Sequence, residues 1–290
     1  MLAEAPGLYY LYEPFNPDAG VGRAICDCRF ERYFTYIHPG NEACYLPGVA
    51  QMLAGRYKLS RALLDARSPA GVRRAWRQAR RFSAYRREGA VPLLKDPIAL
   101  ASAPWLALRF PIRVVVLIRH PAAFVSSMRR LGWPFDPTRW ALGQPQLMAD
   151  YLEPLRPELE ALARRRNEAD LIEQAALLWK TLHHLIGIYR DRHPEWIFVR
   201  HEDLSVDPMT GFQELFARLG LQFTEQARSV VQRFSGEGNP AFAEGRERTI
   251  RLDSRANVKS WKHKLTPGEV ARVREVTATV AEAFYDDADW

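Results

Sequence analysis

Val114-Val115-Val116-Leu117-Ile118-Arg119-His120-Pro121-Ala122-Ala123-Phe124-Val125-Ser126-Ser127-Met128-Arg129-Arg130 is the stretch on which the rest of this chain can be hung. From Arg113 to Ile118 it is β-branched on both faces, the pattern of a central parallel strand covered by helices on either side. A proline turn at Pro121 then opens a helix carrying Ser127. In open α/β sheets ligands gather beyond the carboxyl ends of strands, which is where Arg119 emerges. The guanidinium is a rigid fork for phosphate oxygens, and a serine hydroxyl adds a neutral donor. The helix N-terminus contributes a partial positive charge. Arg119 and Ser127 stand eight residues apart on one strand-turn-helix, close enough to grip one phosphate. A lone arginine at a strand end would read as a structural ion pair; the whole unit argues for an anion site.

Other strands flank this one in sequence. Gly7-Leu8-Tyr9-Tyr10-Leu11-Tyr12 is short, aromatic and bounded by Pro6 and Pro14, and reads as a buried strand. Val91-Pro92-Leu93-Leu94-Lys95 is a second, closed by Asp96-Pro97, and Trp196-Ile197-Phe198-Val199 is another. Between the first two lies a basic helical stretch, Gly71 to Arg87, with Val72, Trp76, Ala79 and Phe82 at helical spacing. Leu171, Ala175, Leu178, Leu182, Leu185 and Tyr189 trace one face of a long helix. Asp207-Pro208 predicts an N-cap with proline at the first helical position, and Thr266-Pro267-Gly268-Glu269 a capping box. Strands alternating with long helices predict an α/β fold: a central, mostly parallel sheet with right-handed crossovers. The expectation is a single domain over 1–290. Residues 133–166 form a helical insertion within it, a lid or acceptor-binding element carrying Phe135, Trp140, Gln144 and Gln146.

Three stretches, in order, resemble the sulfotransferases that use 3′-phosphoadenosine 5′-phosphosulfate. Arg119-His120-Pro121 with Ser127 is similar to the family's 3′-phosphate-binding motif, which implies that Arg119 and Ser127 hold that phosphate. Phe198-Val199-Arg200-His201-Glu202-Asp203-Leu204 resembles the segment in which a tyrosine helps seat adenine; His201 stands in its place. A capping role for His201 beside Glu202 and Asp203 is the other reading. Ser254-Arg255-Ala256-Asn257-Val258-Lys259-Ser260-Trp261-Lys262 resembles the loop that closes over the nucleotide. Its form is nearer to the carbohydrate sulfotransferases than to the cytosolic Arg-Lys-Gly enzymes, and Arg255 is the residue carried over. Lys259 and Lys262 could equally be surface charges. The resemblance covers about residues 8–16, 91–131 and 196–285, and implies a phosphate-loop-type sulfotransferase fold.

For the reaction, the resemblance implies Glu13, in Tyr12-Glu13-Pro14, as the carboxylate base and Lys95 as the group that stabilises the leaving oxygen. Cytosolic enzymes carry a catalytic histidine just after that lysine, where this chain has Pro97. The family's Gly-Ser/Thr-rich loop for the 5′-phosphosulfate is not found before any helix here. The expectation is an N-terminally truncated chain, whose coding sequence upstream of Met1 would show a strand followed by Gly-Thr or Gly-Ser. Loss of that loop in a binder without catalytic power is the alternative.

The composition agrees with an anionic ligand: 41 Lys and Arg against 34 acidic residues give a formal net charge of +7 over 290 residues. Cys26, Cys28 and Cys44 are too few for a disulfide framework, and with His38 they fit no common zinc spacing, so no metal is expected. No run approaches the roughly 20 apolar residues of a membrane span, and Met1 is followed by no signal-peptide pattern, which predicts a cytoplasmic protein. A kinase would need a Walker lysine and a magnesium carboxylate, and neither can be placed. Nor is there a recognition-helix or zinc-finger signature for nucleic acid. The expected partner is a carbohydrate or other small hydroxyl acceptor.

Overall fold

The computed structural model describes residues 1–18, 21–242 and 251–290. Residues 243–250, within the C-terminal stretch of the resemblance, lie outside the described residues. The chain falls into two compact units, Leu2–Phe110 and Pro111–Trp290.

In the N-terminal unit, β1 (Leu8–Tyr12) leads through a long loop to α1 (Leu46–Leu53), α2 (Leu59–Leu64) and α3 (Pro69–Arg87), then β2 (Val91–Lys95) and α4 (Ala103–Arg109). β1 and β2 pair in parallel, Leu8 opposite Val91 and Tyr12 opposite Lys95. Alternation puts Tyr9 and Leu11 inside, whereas Tyr10 and Tyr12 reach solvent, so the strand is half-buried rather than buried on both faces. α3 starts where the Ser68 hydroxyl accepts from Gly71 N at 3.1 Å, with Pro69 at the first helical position. Its core face is Ala75 and Phe82; Val72 and Trp76, expected on that face by spacing, are exposed. Phe82 meets Tyr9 edge-on and Tyr85 stacks on Tyr9 at 4.8 Å, so aromatic packing ties the helix to β1.

In the C-terminal unit, β3 (Val115–Ile118) is followed by α5 (Pro121–Leu131), which ends on Gly132 in the left-handed region. The stretch expected as a helical insertion is helical: a π-turn at Thr138–Leu142, α6 (Pro145–Leu147), a second π-turn at Met148–Leu152, and α7 (Arg156–Arg164). It is no loose flap. Leu147, Met148, Leu152, Leu159 and Leu162 are at most 2% exposed, Phe135 N donates to Gln174 at 3.1 Å, and Lys180 bonds Glu158 at 2.8 Å. Gln174 and Lys180 belong to α8 (Leu171–Arg192). That helix is buried well beyond the single face its periodicity predicts; Ile172 through Thr181 bury all but Glu173, with Gln174, Lys180 and Thr181 among the buried side chains, which makes it the centre of the unit.

After it come β4 (Ile197–Arg200), α9 (His201–Val206), α10 (Pro208–Arg218), α11 (Glu225–Ser235), α12 (Ser254–Asn257), α13 (Trp261–Lys264) and α14 (Pro267–Ala281). The expected caps form: Asp207 accepts from Thr210 N, and Thr266 and Glu269 make the capping box. β3 and β4 pair in parallel, Ile118 opposite Arg200. The fold is therefore mixed α/β with parallel pairing, as expected. Its described strands, however, form two two-stranded sheets instead of one central sheet. With one partner strand, β3 does not bury both faces: Val116 and Ile118 are inside while Leu117 is 52% exposed. Among the described residues no helix is long and apolar enough to cross a membrane.

Candidate functional site

Register alone brings two of the sequence-predicted residues together. Because Ile118 lies opposite Arg200 in a parallel pair, Arg119 and His201 leave the sheet side by side at its carboxyl edge. Each strand then turns into a helix, α5 after β3 and α9 after β4, so two helix N-termini converge there. The turn after β3 is held from three sides. Trp179 Nε1 on α8 donates to Arg119 O at 2.7 Å, His120 Nδ1 accepts from Ala122 N at 3.2 Å, and His120 N donates to Glu202 Oε1 at 2.9 Å. Tyr285 completes the link, its hydroxyl donating to Glu202 Oε2 at 3.0 Å.

The charge balance at this edge is positive. Burial lowers the Arg119 pKa; the nearby Glu202 opposes that shift, and Arg130 adds to it. Lys264 is lowered by burial and by the nearby Arg130 and Arg119. Arg119, Arg130 and Lys264 thus lie within one another's fields, and a bound anion would relieve their repulsion. Arg119 Nε is shielded from solvent and has no hydrogen-bond partner among the described residues. A buried donor left open in this way costs stability until something accepts from it. His201 is brought down to about 4 by burial and by Arg119, so it is neutral at pH 7. It is partly buried, its Nδ1 3.3 Å from the Ser205 hydroxyl, not an exposed cap residue.

Ser127 is half-buried on α5 and makes no hydrogen bond to any described residue. It shares a helix face with Arg130 three residues on, the arginine that acts on Arg119. Arg255 is placed differently. Its Nε donates to Val206 O at 3.0 Å, at the far end of α9 from His201, and its side chain is exposed. Beside Arg119, His120 is 2% exposed and sandwiched: Trp261 stacks on it at 5.0 Å, and Tyr285 and Trp290 meet it edge-on. Burial, with Arg200, Lys262 and Lys259 nearby, lowers His120 to about 3 despite Asp289.

The N-terminal unit joins the other predicted pair. Glu13 and Lys95, 82 residues apart, follow and end the paired strands β1 and β2, and Lys95 Nζ donates to Glu13 Oε1 at 2.6 Å. Glu13 Oε2 accepts from Asn16 Nδ2 at 3.0 Å. Burial pushes the Glu13 pKa up, but the bonds from Lys95 and Asn16 outweigh it and hold the carboxyl below its ordinary value. The residue sits at φ +44°, the left-handed region that a side chain adopts at a cost of about 1 kcal/mol or more. Glu13 N donates to Lys95 O at 2.9 Å, which helps hold that turn. Glu13 is 5% exposed, whereas the Lys95 side chain is 41% exposed and lies 4.8 Å from the centre of the Tyr12 ring.

Sequence reasoning missed Glu202, Tyr285, His120 and Asp96. Asp96 accepts from Phe15 N at 2.7 Å and Ile98 N at 3.0 Å; burial raises it to about 6 although those bonds oppose the shift. The Asp96-Pro97 pair, a capped helix start, was the available signal. Of the insertion residues expected to meet an acceptor, Phe135 and Gln144 are buried, Trp140 is partly so and Gln146 is exposed. Cys26 and Cys28 place their sulfurs 2.9 Å apart as free thiols, and no group of three or more His, Cys, Asp or Glu is gathered as for a metal among the described residues.

Compared with known proteins, the chain is 26% identical over 185 residues to carbohydrate sulfotransferase 5 of Mus musculus. The match covers 64% of this chain and 41% of that protein, so the chain spans well under half of its relative's length. No family description and no solved structure matches it.

Proposed function

We propose that this chain binds 3′-phosphoadenosine 5′-phosphosulfate and moves its sulfuryl group to a hydroxyl of a carbohydrate acceptor. The observation that carries the reading is the cluster at the end of β3 and β4. Arg119, Arg130 and Lys264 sit there with an open, buried Arg119 Nε, on the strand-turn-helix whose sequence resembles the 3′-phosphate motif. The distant likeness to a carbohydrate sulfotransferase supports the same class. The reading takes 1–290 as one sulfotransferase-like domain related to phosphate-loop proteins.

In this reading Arg119 and Ser127 hold the 3′-phosphate, Arg130 and Lys264 add to the field, and neutral His201 lies against the adenine. Arg255, on α12, belongs to the segment that closes over the nucleotide. The donor, when bound, supplies a sulfuryl group already activated by its anhydride bond to phosphate. Glu13 takes the proton of the acceptor hydroxyl as that oxygen attacks in line. Lys95 stabilises the negative charge that builds on the departing oxygen. Such a reaction depends on positioning and electrostatics more than on covalent help from the protein. Glu13 has to exchange its bond to Lys95 for one to the acceptor, which raises its basicity when it is needed.

That same ion pair favours a second reading, nucleotide or sulfated-glycan binding without transfer, because a carboxylate held low by a lysine is a weak base. Transfer of labelled sulfate from the donor to desulfated glycans separates the two. The first reading expects labelled product, and Glu13→Gln lowering kcat by about 10²–10⁴ with little change in nucleotide affinity. No product from any acceptor, with nucleotide binding intact, leaves the second.

A further inference from the structure

The surface of α3 carries a feature that neither strand-end site uses. Its sequence, PAGVRRAWRQARRFSAYRR, holds seven arginines and no acidic residue. All seven are exposed, and none forms an ion pair with a described residue. At 100° per residue, Arg73, Arg77, Arg80 and Arg87 fall on one outward stripe, opposite the buried Ala75 and Phe82. At about 1.5 Å of rise per residue the stripe runs about 21 Å, with steps of about 6, 4.5 and 10.5 Å. Like charges three and four residues apart destabilise a helix. What holds α3 in place is Phe82 and Tyr85 against Tyr9 and Tyr57, not the arginines. Among the described residues the stripe therefore has no acidic partner, and its like charges work against the helix that bears them.

We propose that this stripe is a docking track for a polyanionic glycan, a sulfated or carboxylated polysaccharide that is acceptor or product of the proposed reaction. The inference rests on the sulfotransferase reading and adds to it where a long chain is held. Guanidinium forks match sulfate and carboxylate oxygens two by two. Trp76, 51% exposed on the stripe's flank with Val72 one turn before it, offers an apolar face for a sugar ring. A helix lying in a membrane surface would turn a broad apolar face outward, whereas the apolar side of α3 faces the core. A single-strand nucleic-acid groove would present aromatic side chains in series for base stacking, and α3 exposes one.

The test titrates the full chain with a fluorescent heparin octasaccharide, a single-stranded oligonucleotide of equal charge, and vesicles containing one quarter phosphatidylserine. Arg73→Glu/Arg77→Glu/Arg80→Glu should weaken octasaccharide binding at least tenfold and flatten its salt dependence, while Trp76→Ala weakens it several-fold. Circular dichroism melts check folding, and the single change Arg77→Glu, expected to weaken binding about threefold, serves if the triple variant unfolds. Affinity for 3′,5′-adenosine bisphosphate should stay within twofold in every variant. Octasaccharide binding unchanged by these substitutions overturns the track. So does tighter binding of the oligonucleotide, or of the vesicles, through the same arginines. Loss of octasaccharide binding with nucleotide binding kept supports the track. Octasaccharide binding through α3 by a chain that binds no nucleotide refutes the sulfotransferase reading and leaves only glycan docking.

Discussion

Arg119 and His201 show how a side chain's chemistry follows from where a strand stops. Each leaves its strand at the same register position, and burial then does the rest, depressing both. Four histidines share that fate, in each case first through burial: His120 and His183 fall to about 3, His201 to about 4, and His184 is lowered as well. An unfolded chain takes up protons on His120, His183 and His201 near pH 6.5, whereas the folded one refuses them until about pH 3 to 4. Between those limits the unfolded state binds more protons, so this share of stability is present above about pH 6.5 and is lost as pH falls. Asp96, raised to about 6, acts in the opposite sense over part of the window, which makes a single-site comparison the cleaner measurement. His183→Gln should reduce the drop in urea midpoint between pH 7 and pH 5, by roughly 1–2 kcal/mol in unfolding free energy. An unchanged pH dependence would mean that His183 takes up its proton in the fold at the same pH as in the unfolded chain, against the burial of its ring.

Among the elements, those with local signals were legible in the sequence. Four strands and the caps at Asp207 and Thr266 stand where residue type and turn chemistry put them. α3 was legible as a helix but not in its orientation. Spacing put Val72 and Trp76 on the core side, yet the aromatic contacts of Phe82 and Tyr85 with Tyr9 rotate them outward. α8 likewise exceeds its periodic face because the insertion folds onto it. α5 yields its own prediction. If Ser127 donates to the bound phosphate, Ser127→Ala should weaken 3′,5′-adenosine bisphosphate by about five- to tenfold, the loss of about 1 kcal/mol. The melting temperature should stay put, since the hydroxyl bonds no described residue. A lower melting temperature with unchanged affinity would mark the serine as structural.

For the molecule as a whole, the candidate site depends on partners far apart along the chain, and those around Glu202 were hidden from the sequence. Glu202 meets His120 and Tyr285 across separations of 82 and 83 residues, and Glu13 meets Lys95 across 82. The last pair could be anticipated because both residues lie at predicted strand ends. Glu202 could not, since a carboxylate after a strand looks the same whether it caps a helix or receives bonds from two distant elements. Tyr285→Phe leaves Glu202 with one donor fewer beside Arg119. It should lower nucleotide affinity about threefold to tenfold through Arg119's position, with the loss restored in part by high ligand concentration rather than by pH.

The claim under all of this is that the guanidinium at the end of β3 receives the ribose phosphate of an adenosine nucleotide. Calorimetric titration of the chain and of Arg119→Ala with 3′,5′-adenosine bisphosphate, beside adenosine 5′-phosphate, tests it directly. The account predicts a micromolar-range Kd for the bisphosphate on the unaltered chain, weakened about 100-fold or more by the substitution. The monophosphate, lacking the 3′ group, should bind weakly to both and distinguish them little. Equal affinity of the two nucleotides, or a bisphosphate affinity untouched by Arg119→Ala in a folded variant, would contradict it.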